Sequence, residues 1–265
     1  MSIGAFPLSP NGSRGTSLPP CFQEVRWRSK ALQKQMAFLL HLPPEYHEQP
    51  KCYPVLYLLH GSGHTPHSVL AEVCPQAHMA LLGEAMFVIP DGEQGWWLDS
   101  PVVSDSRYGQ YLLELVRYVD RRYRTVARRT ARGVCGFSMG GYGAMLLAAQ
   151  HPEVFGSASS LLGPLDIAQM YPDYYRLRLL LGPHLSTWQR YNPTRLTAGL
   201  ARTSLRFCTA EEAFDRPQNE ALAETLRAKE ITFEYDIHAG GHDTAFVRKH
   251  IAAHLSFHRT YLTRT

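Results

Sequence analysis

A serine becomes a nucleophile when its hydroxyl is lifted clear of the chain and a base takes its proton, and one stretch of this 265-residue chain has the form that does the lifting. In Gly136-Phe137-Ser138-Met139-Gly140 a serine stands midway between two glycines. Where a strand turns abruptly into a helix, the positions two before and two after the apex crowd each other, and glycine at both relieves the clash. The five-residue pattern is short and carries weight only in context. Gly133-Val134-Cys135 reads as the entering strand, and the small, apolar run Gly141 to Ala149 as the departing helix. Such a turn would present Ser138 Oγ at a helix N-terminus, where free N–H groups and the dipole favour developing negative charge. The chemistry it suits is attack on a carbonyl carbon.

That attack needs three helpers. An oxyanion hole takes one N–H from the residue after the nucleophile, here Met139, and a second from a loop behind an earlier central strand. His60-Gly61-Ser62-Gly63 follows the strand-like Val55 to Leu59; Ser62 is the expected donor, and Gly61 lets the backbone approach a ligand closely. In a sheet of this build the chain order is nucleophile, acid, histidine, so the base lies late in the sequence. His242, in the loop Ala239-Gly240-Gly241-His242-Asp243 after the last strand, can swing over the sheet edge. His250, His254 and His258 recur every four residues along a helix and read as a solvated face rather than a metal stripe. The acid must follow the strand Leu205 to Cys208, where Glu211, Glu212 and Asp215 are available. Glu212 fits best, with Asp215 in reserve.

The elements that would position these residues alternate along the chain. Two strands, Phe22 to Trp27 and Gln35 to Leu42, predict an antiparallel pair. Val55 to Leu59 and Ala85 to Pro90 are apolar on both faces, as central strands of a covered parallel sheet must be. Helices are expected over 68–82, 109–123, 140–150, 217–229 and 243–261, and later strands over 132–137, 205–208 and 231–237. The prediction is an α/β fold with a mostly parallel sheet and helices on both faces. Residues 163–200 break the rhythm with four prolines among aromatic and leucine-rich stretches, which predicts a small cap-like insertion. Residues 1–21 read as a flexible arm and 22–265 as a single domain.

Composition narrows the partners. A net charge of +4, with 27 Lys and Arg against 23 Asp and Glu, leaves the Arg121-Arg122-Tyr123-Arg124 cluster as a solvated rim rather than a nucleic-acid surface. Five scattered cysteines without C-x-x-C spacing predict neither a disulfide framework nor a zinc site. No stretch approaches the roughly eighteen apolar residues of a membrane helix, so the expected setting is cytoplasmic, with a small-molecule partner, no metal and no cofactor.

Taken together, Leu58-Leu59-His60-Gly61, Ile89-Pro90-Asp91-Gly92, Gly95-Trp96-Trp97-Leu98-Asp99-Ser100-Pro101, the Ser138 turn through Ala144, His151-Pro152-Glu153-Val154-Phe155 and Gly240-Gly241-His242-Asp243 resemble an esterase family of α/β hydrolases. That family holds tributyrin, feruloyl and enterochelin esterases, S-formylglutathione hydrolases and mycolyltransferases. The resemblance implies a serine esterase for short acyl or acetyl esters, with Trp96 near the acyl or alcohol pocket, although a Trp-Trp pair by itself reads as core. It also raises two alternatives: a thioesterase of the S-formylglutathione hydrolase type, or a binding protein on a hydrolase scaffold. Two places depart from the family pattern. The acid region, Cys208-Thr209-Ala210-Glu211-Glu212, has Glu where the family usually has Asp, and His64-Thr65-Pro66-His67 stands where relatives often carry Gly-Asn and then Trp.

Overall fold

The structure, a computed structural model, describes residues 18–74 and 76–262. Most of the expected arm, residues 1–17, lies outside the described residues. Of its last four positions, Leu18 and Cys21 pack against the core.

Eight strands form one sheet: β1 (Phe22–Arg28), β2 (Gln35–His41), β3 (Val55–Leu59), β4 (Met86–Pro90), β5 (Arg132–Phe137), β6 (Ser157–Leu161), β7 (Ser204–Ala210) and β8 (Glu234–His238). Their spatial order is β1-β2-β4-β3-β5-β6-β7-β8. The first two pair antiparallel, β2 meets β4 antiparallel, and every later pairing is parallel. The period of two explains the doubly apolar runs: Val55, Tyr57 and Leu59 face one hydrophobic cluster, while Leu56 and Leu58 face the other. Each such side chain contributes about 1.5–3 kcal/mol on burial.

The first cluster is covered by α1 (Tyr108–Arg122), α2 (Met139–Gln150), the insertion helices α3 (Tyr175–Leu181) and α4 (Leu185–Arg190), and α5 (Arg216–Ala228). The second is covered by α6 (Thr244–Leu262) and the turn Val69–Val73. The insertion is not a separate unit, since Leu165, Ile167, Leu177 and Trp188 join the first core. No helix among the described residues is long and apolar enough to cross a membrane.

Three local expectations are corrected. The helix expected over 68–82 is a π-helical turn, Val69–Val73, followed by a 3-10 stretch, Gln76–Leu82; the sequence puts Pro75, which has no N–H, between them. The last strand begins at Glu234 rather than Ile231 because α5 closes in a Schellman motif. Glu230 takes φ 56°, its N–H reaches Arg227 O, and Ile231 N–H is spent on Leu226 O at 3.0 Å. The histidine face of α6 is not solvated: His254 and His258 are buried. The small serines of β6 leave a polar niche under the sheet, where Ser157 Oγ and Ser159 Oγ each lie 2.8 Å from a ring nitrogen of His258. His254 Nε2 stands 3.3 Å from Cys208 Sγ.

Burial pushes the His258 pKa down to about 3. The unfolded chain, with an ordinary value near 6.5, therefore takes up a proton that the folded chain refuses. Stability from this group is fully present above about pH 6.5 and is lost as pH falls toward 3; at pH 5 the loss is about 2 kcal/mol. Urea unfolding of wild type and His258→Gln at pH 7 and pH 5 should show the wild type losing about 2 kcal/mol more than the variant.

Candidate active site

Ser138 sits between β5 and α2 with φ 52° and ψ −121°, a left-handed backbone that costs of order 1–3 kcal/mol for a residue with a Cβ. The surroundings hold it there: Ser138 N–H donates to Leu161 O at 2.9 Å, and Tyr142 N–H to Ser138 O at 3.0 Å. The two glycines are explained by contact. A Cβ on Gly136 would stand 2.1 Å from Gly140 O, and one on Gly140 would stand 2.0 Å from Leu59 O.

His242 Nε2 lies 2.9 Å from Ser138 Oγ, and His242 Nδ1 lies 2.6 Å from Asp215 Oδ1. A carboxylate only accepts, so Nδ1 carries the ring proton and Nε2 turns a lone pair to the serine hydroxyl. Asp215 is fully buried. Its other oxygen accepts from Thr209 Oγ1 at 2.7 Å and from Asn219 Nδ2 at 2.9 Å. Phe214 lies against the His242 ring, centroids 4.4 Å apart. This arrangement can draw a proton from Ser138 and hold the resulting imidazolium beside a fixed negative charge.

For the acid, the structure brings the reserve candidate, Asp215, to His242 in place of Glu212. Glu212 is exposed, and the carboxylate that reaches His242 Nδ1 is that of Asp215. The strand β7 runs two residues further than expected, to Ala210, and Glu211 and Glu212 stay in line with the sheet edge. Their N–H groups bond to His238 O at 2.9 Å and Gly240 O at 3.0 Å. The chain then curls, Ala213 N–H to Ala210 O and Arg216 N–H to Ala213 O, which carries Asp215 under the loop of His242. Asp215 occupies the N-cap of α5, yet its side chain caps nothing and turns to the histidine. The overlooked partner, Asn219, lies four residues on along α5, a helical spacing that the sequence displays.

The other expected residues gather around Ser138. Met139 opens α2, where the first N–H groups have no acceptor within the helix. Ser62 Oγ stands 3.5 Å from Met139 Sδ, and a Cβ on Gly61 would lie 3.2 Å from Ser138 Cβ, so the loop after β3 lies directly against the nucleophile turn. Trp96 is 2% exposed, held edge-on between Tyr142 and Tyr174 at centroid distances of 5.5 and 5.2 Å. Tyr174, from the insertion, also lies near Ser62, and burial raises its pKa above the ordinary tyrosine range. Nothing in the sequence pattern singled out Tyr174. Among the described residues no group of three or more His, Cys, Asp or Glu is arranged to hold a metal ion.

The fold is that of the α/β hydrolases. The profile of a protein family described as "Putative esterase" matches residues 29–258, and the chain belongs to that family. It is 32% identical over 146 residues to two Mycobacterium tuberculosis proteins, Esterase Rv1288 and Esterase MT1326. Each match covers 54% of this chain and 32% of the relative, so the chain spans about a third of the length of these relatives. Among solved structures, an S-formylglutathione hydrolase from Staphylococcus aureus superposes with a TM-score of 0.79 at 18% identity, covering 90% of this chain and 98% of that one. An S-formylglutathione hydrolase from Agrobacterium tumefaciens gives 0.79 at 22%, over 91% and 95%. A ferulic acid esterase gives 0.78 at 21%, over 91% and 98%. At these identities the likeness is one of fold.

Replacing Asp215 by Asn keeps the shape but removes the charge and the tautomer control. Its kcat on an activated ester should fall about 10⁴-fold, whereas Glu212→Gln should stay within about twofold, as exposed substitutions do. Steady-state kinetics of the two purified variants checks this.

Proposed function

We propose that the protein is a serine carboxylesterase that hydrolyses short acyl esters through a Ser138–His242–Asp215 triad. The observation that carries the reading is the continuous hydrogen-bonded line from Asp215 Oδ1 through His242 to Ser138 Oγ, at 2.6 and 2.9 Å, ending on a strained turn that holds the hydroxyl at a helix N-terminus.

In the first step His242 Nε2 takes the Ser138 proton as Oγ attacks the ester carbonyl. The oxygen that gains charge is received by the N–H groups of Met139 and Ser62. The tetrahedral intermediate collapses, His242 returns the proton to the departing alcohol, and an acyl-serine remains. Water, deprotonated by His242, attacks that ester and releases the acid by the same steps. Asp215 stays ionised throughout and steadies the imidazolium. Side chains and backbone handle every proton and charge in this sequence, so it calls for no cofactor. Short acyl groups are the substrate class implied by the family resemblance. The edge-on packing of Tyr174 and Trp96, which brings the insertion close to the oxyanion loop, supports an acyl slot of limited length.

A binding protein on this scaffold would have no use for a backbone strained at the serine and a buried carboxylate behind the histidine. A glutathione thioesterase would use the same triad on a different leaving group, and comparing substrates separates the two. With p-nitrophenyl acetate and butyrate, wild-type turnover should exceed that of Ser138→Ala by about 10⁴-fold or more and should fall as the acyl chain lengthens. Wild-type rates equal to those of Ser138→Ala contradict the esterase reading. A kcat/KM for S-formylglutathione well above that for the simple esters replaces the ester by a thioester.

A further inference from the structure

We infer that His60, which takes no part in the line from Asp215 to Ser138, is a positioning residue: it fixes the direction of the Ser62 N–H and thereby builds half of the oxyanion hole. The inference rests on the esterase reading and adds to it a residue whose side chain acts through a backbone group.

His60 is fully buried at the C-terminal end of β3, and both ring nitrogens are engaged. Gly92 N–H approaches Nε2 at 2.8 Å. A backbone N–H only donates, so Nε2 must present a lone pair, and the one ring proton of the neutral imidazole lies on Nδ1. Nδ1 stands 2.9 Å from Gly61 O and donates to it. Asp91 Oδ1 is further from Nε2, at 3.5 Å, and already accepts Glu93 N–H at 2.9 Å. The ring has no freedom to swivel, because Trp97 lies edge-on to it at 5.3 Å and donates its indole N–H to His60 O at 3.2 Å.

The consequence follows from the planarity of the peptide. In a trans peptide the C=O and the N–H point in opposite directions, so whatever clamps Gly61 C=O also aims Ser62 N–H. Two donors clamp it: His60 Nδ1–H and, more loosely, His64 N–H at 3.2 Å. Gly61 lies against the nucleophile turn, where a Cβ on it would come within 3.2 Å of Ser138 Cβ, and on the esterase reading the Ser62 N–H of this peptide is the donor to the oxyanion. Were the Gly61–Ser62 peptide to turn over, a carbonyl oxygen would face the developing oxyanion in place of a donor. His60 therefore works as a latch, with Gly92 N–H holding one end of the ring and Gly61 O the other.

Two near-isosteric substitutions separate the ends of the latch. In His60→Asn the amide nitrogen stands where Nδ1 stands and can still donate to Gly61 O. In His60→Gln the amide lies at the position of Nε2, able to accept from Gly92 N–H but out of reach of Gly61 O. Removing one oxyanion donor lowers kcat by about 10²–10³-fold, so the Gln variant should lose about 10²-fold in kcat with KM little changed, and the Asn variant less than about tenfold. Affinity for a trifluoromethyl ketone, whose adduct with Ser138 carries the oxyanion, should fall in the same proportion as kcat/KM; a purely structural role for His60 would not produce that parallel. A folded Gln variant with kcat and ketone affinity within twofold of wild type overturns the proposal. Should the Gln variant fail to fold, a folded Asn variant that loses 10²-fold or more overturns it, and one that keeps its activity supports it. Wild type without Ser138-dependent turnover overturns the esterase reading itself, which the variants alone cannot do.

Discussion

The start of α2 comes so close to β3 that there is no room for a side chain between them. Gly140 lies with its Cα facing Leu59 O and His60 O, where any Cβ would sit 2.0 and 2.7 Å from those oxygens. This single backbone contact joins the nucleophile turn to the loop that follows β3. It sets the helix N-terminus beside Gly61 and Ser62, and it forces the sharp reversal that leaves Ser138 at φ 52°. The strain is tolerated because β5 is buried on both faces and flanked by β3 and β6, so relaxing the turn would displace strands on both sides.

The two buried groups that back the site, Asp215 and His60, have every polar side-chain atom partnered. Behind His242, Asp215 has accepted three side-chain hydrogen bonds, from His242, Thr209 and Asn219, and Asn219 in turn donates to Gly163 O at 2.8 Å. The carboxylate is buried, and such a group is tolerable only when its lone pairs are occupied. On the other side, His60 spends both nitrogens on backbone groups. The two halves differ in what they need to do. On the esterase reading, the Asp215 side must move a proton at Ser138, whereas the His60 side must hold still.

Much of this was legible in the sequence because the elements with the strongest constraints leave the clearest marks. Doubly apolar runs such as Val55 to Leu59 arise only where both faces are covered, and the paired glycines around Ser138 arise from contacts that admit no Cβ. The choice between Glu212 and Asp215 as the partner of His242 was not legible for a geometric reason. It depended on where β7 stops, and Thr209 and Ala210 extend the strand beyond the apolar run that marks it. That shift of two residues exchanges Glu212, fixed on the exposed edge, for Asp215, fixed under the histidine. The histidines of α6 misled in the opposite sense: spacing of four shows that His254 and His258 share a face, but only the serines of β6 decide that the face is buried. Tyr174 comes from an insertion without periodicity, so no pattern could place it beside Ser62.

The central claim is that the turn, the histidine and the buried aspartate together make one serine hydroxyl reactive. Incubation with a fluorophosphonate, followed by intact-mass and peptide mapping, tests it most directly, because the probe reports activation of the hydroxyl independently of which ester the protein acts on. A single adduct located at Ser138, absent from the His242→Ala variant, is the result the account predicts. No adduct in the folded wild-type protein, or an adduct at another serine that persists without His242, would contradict it.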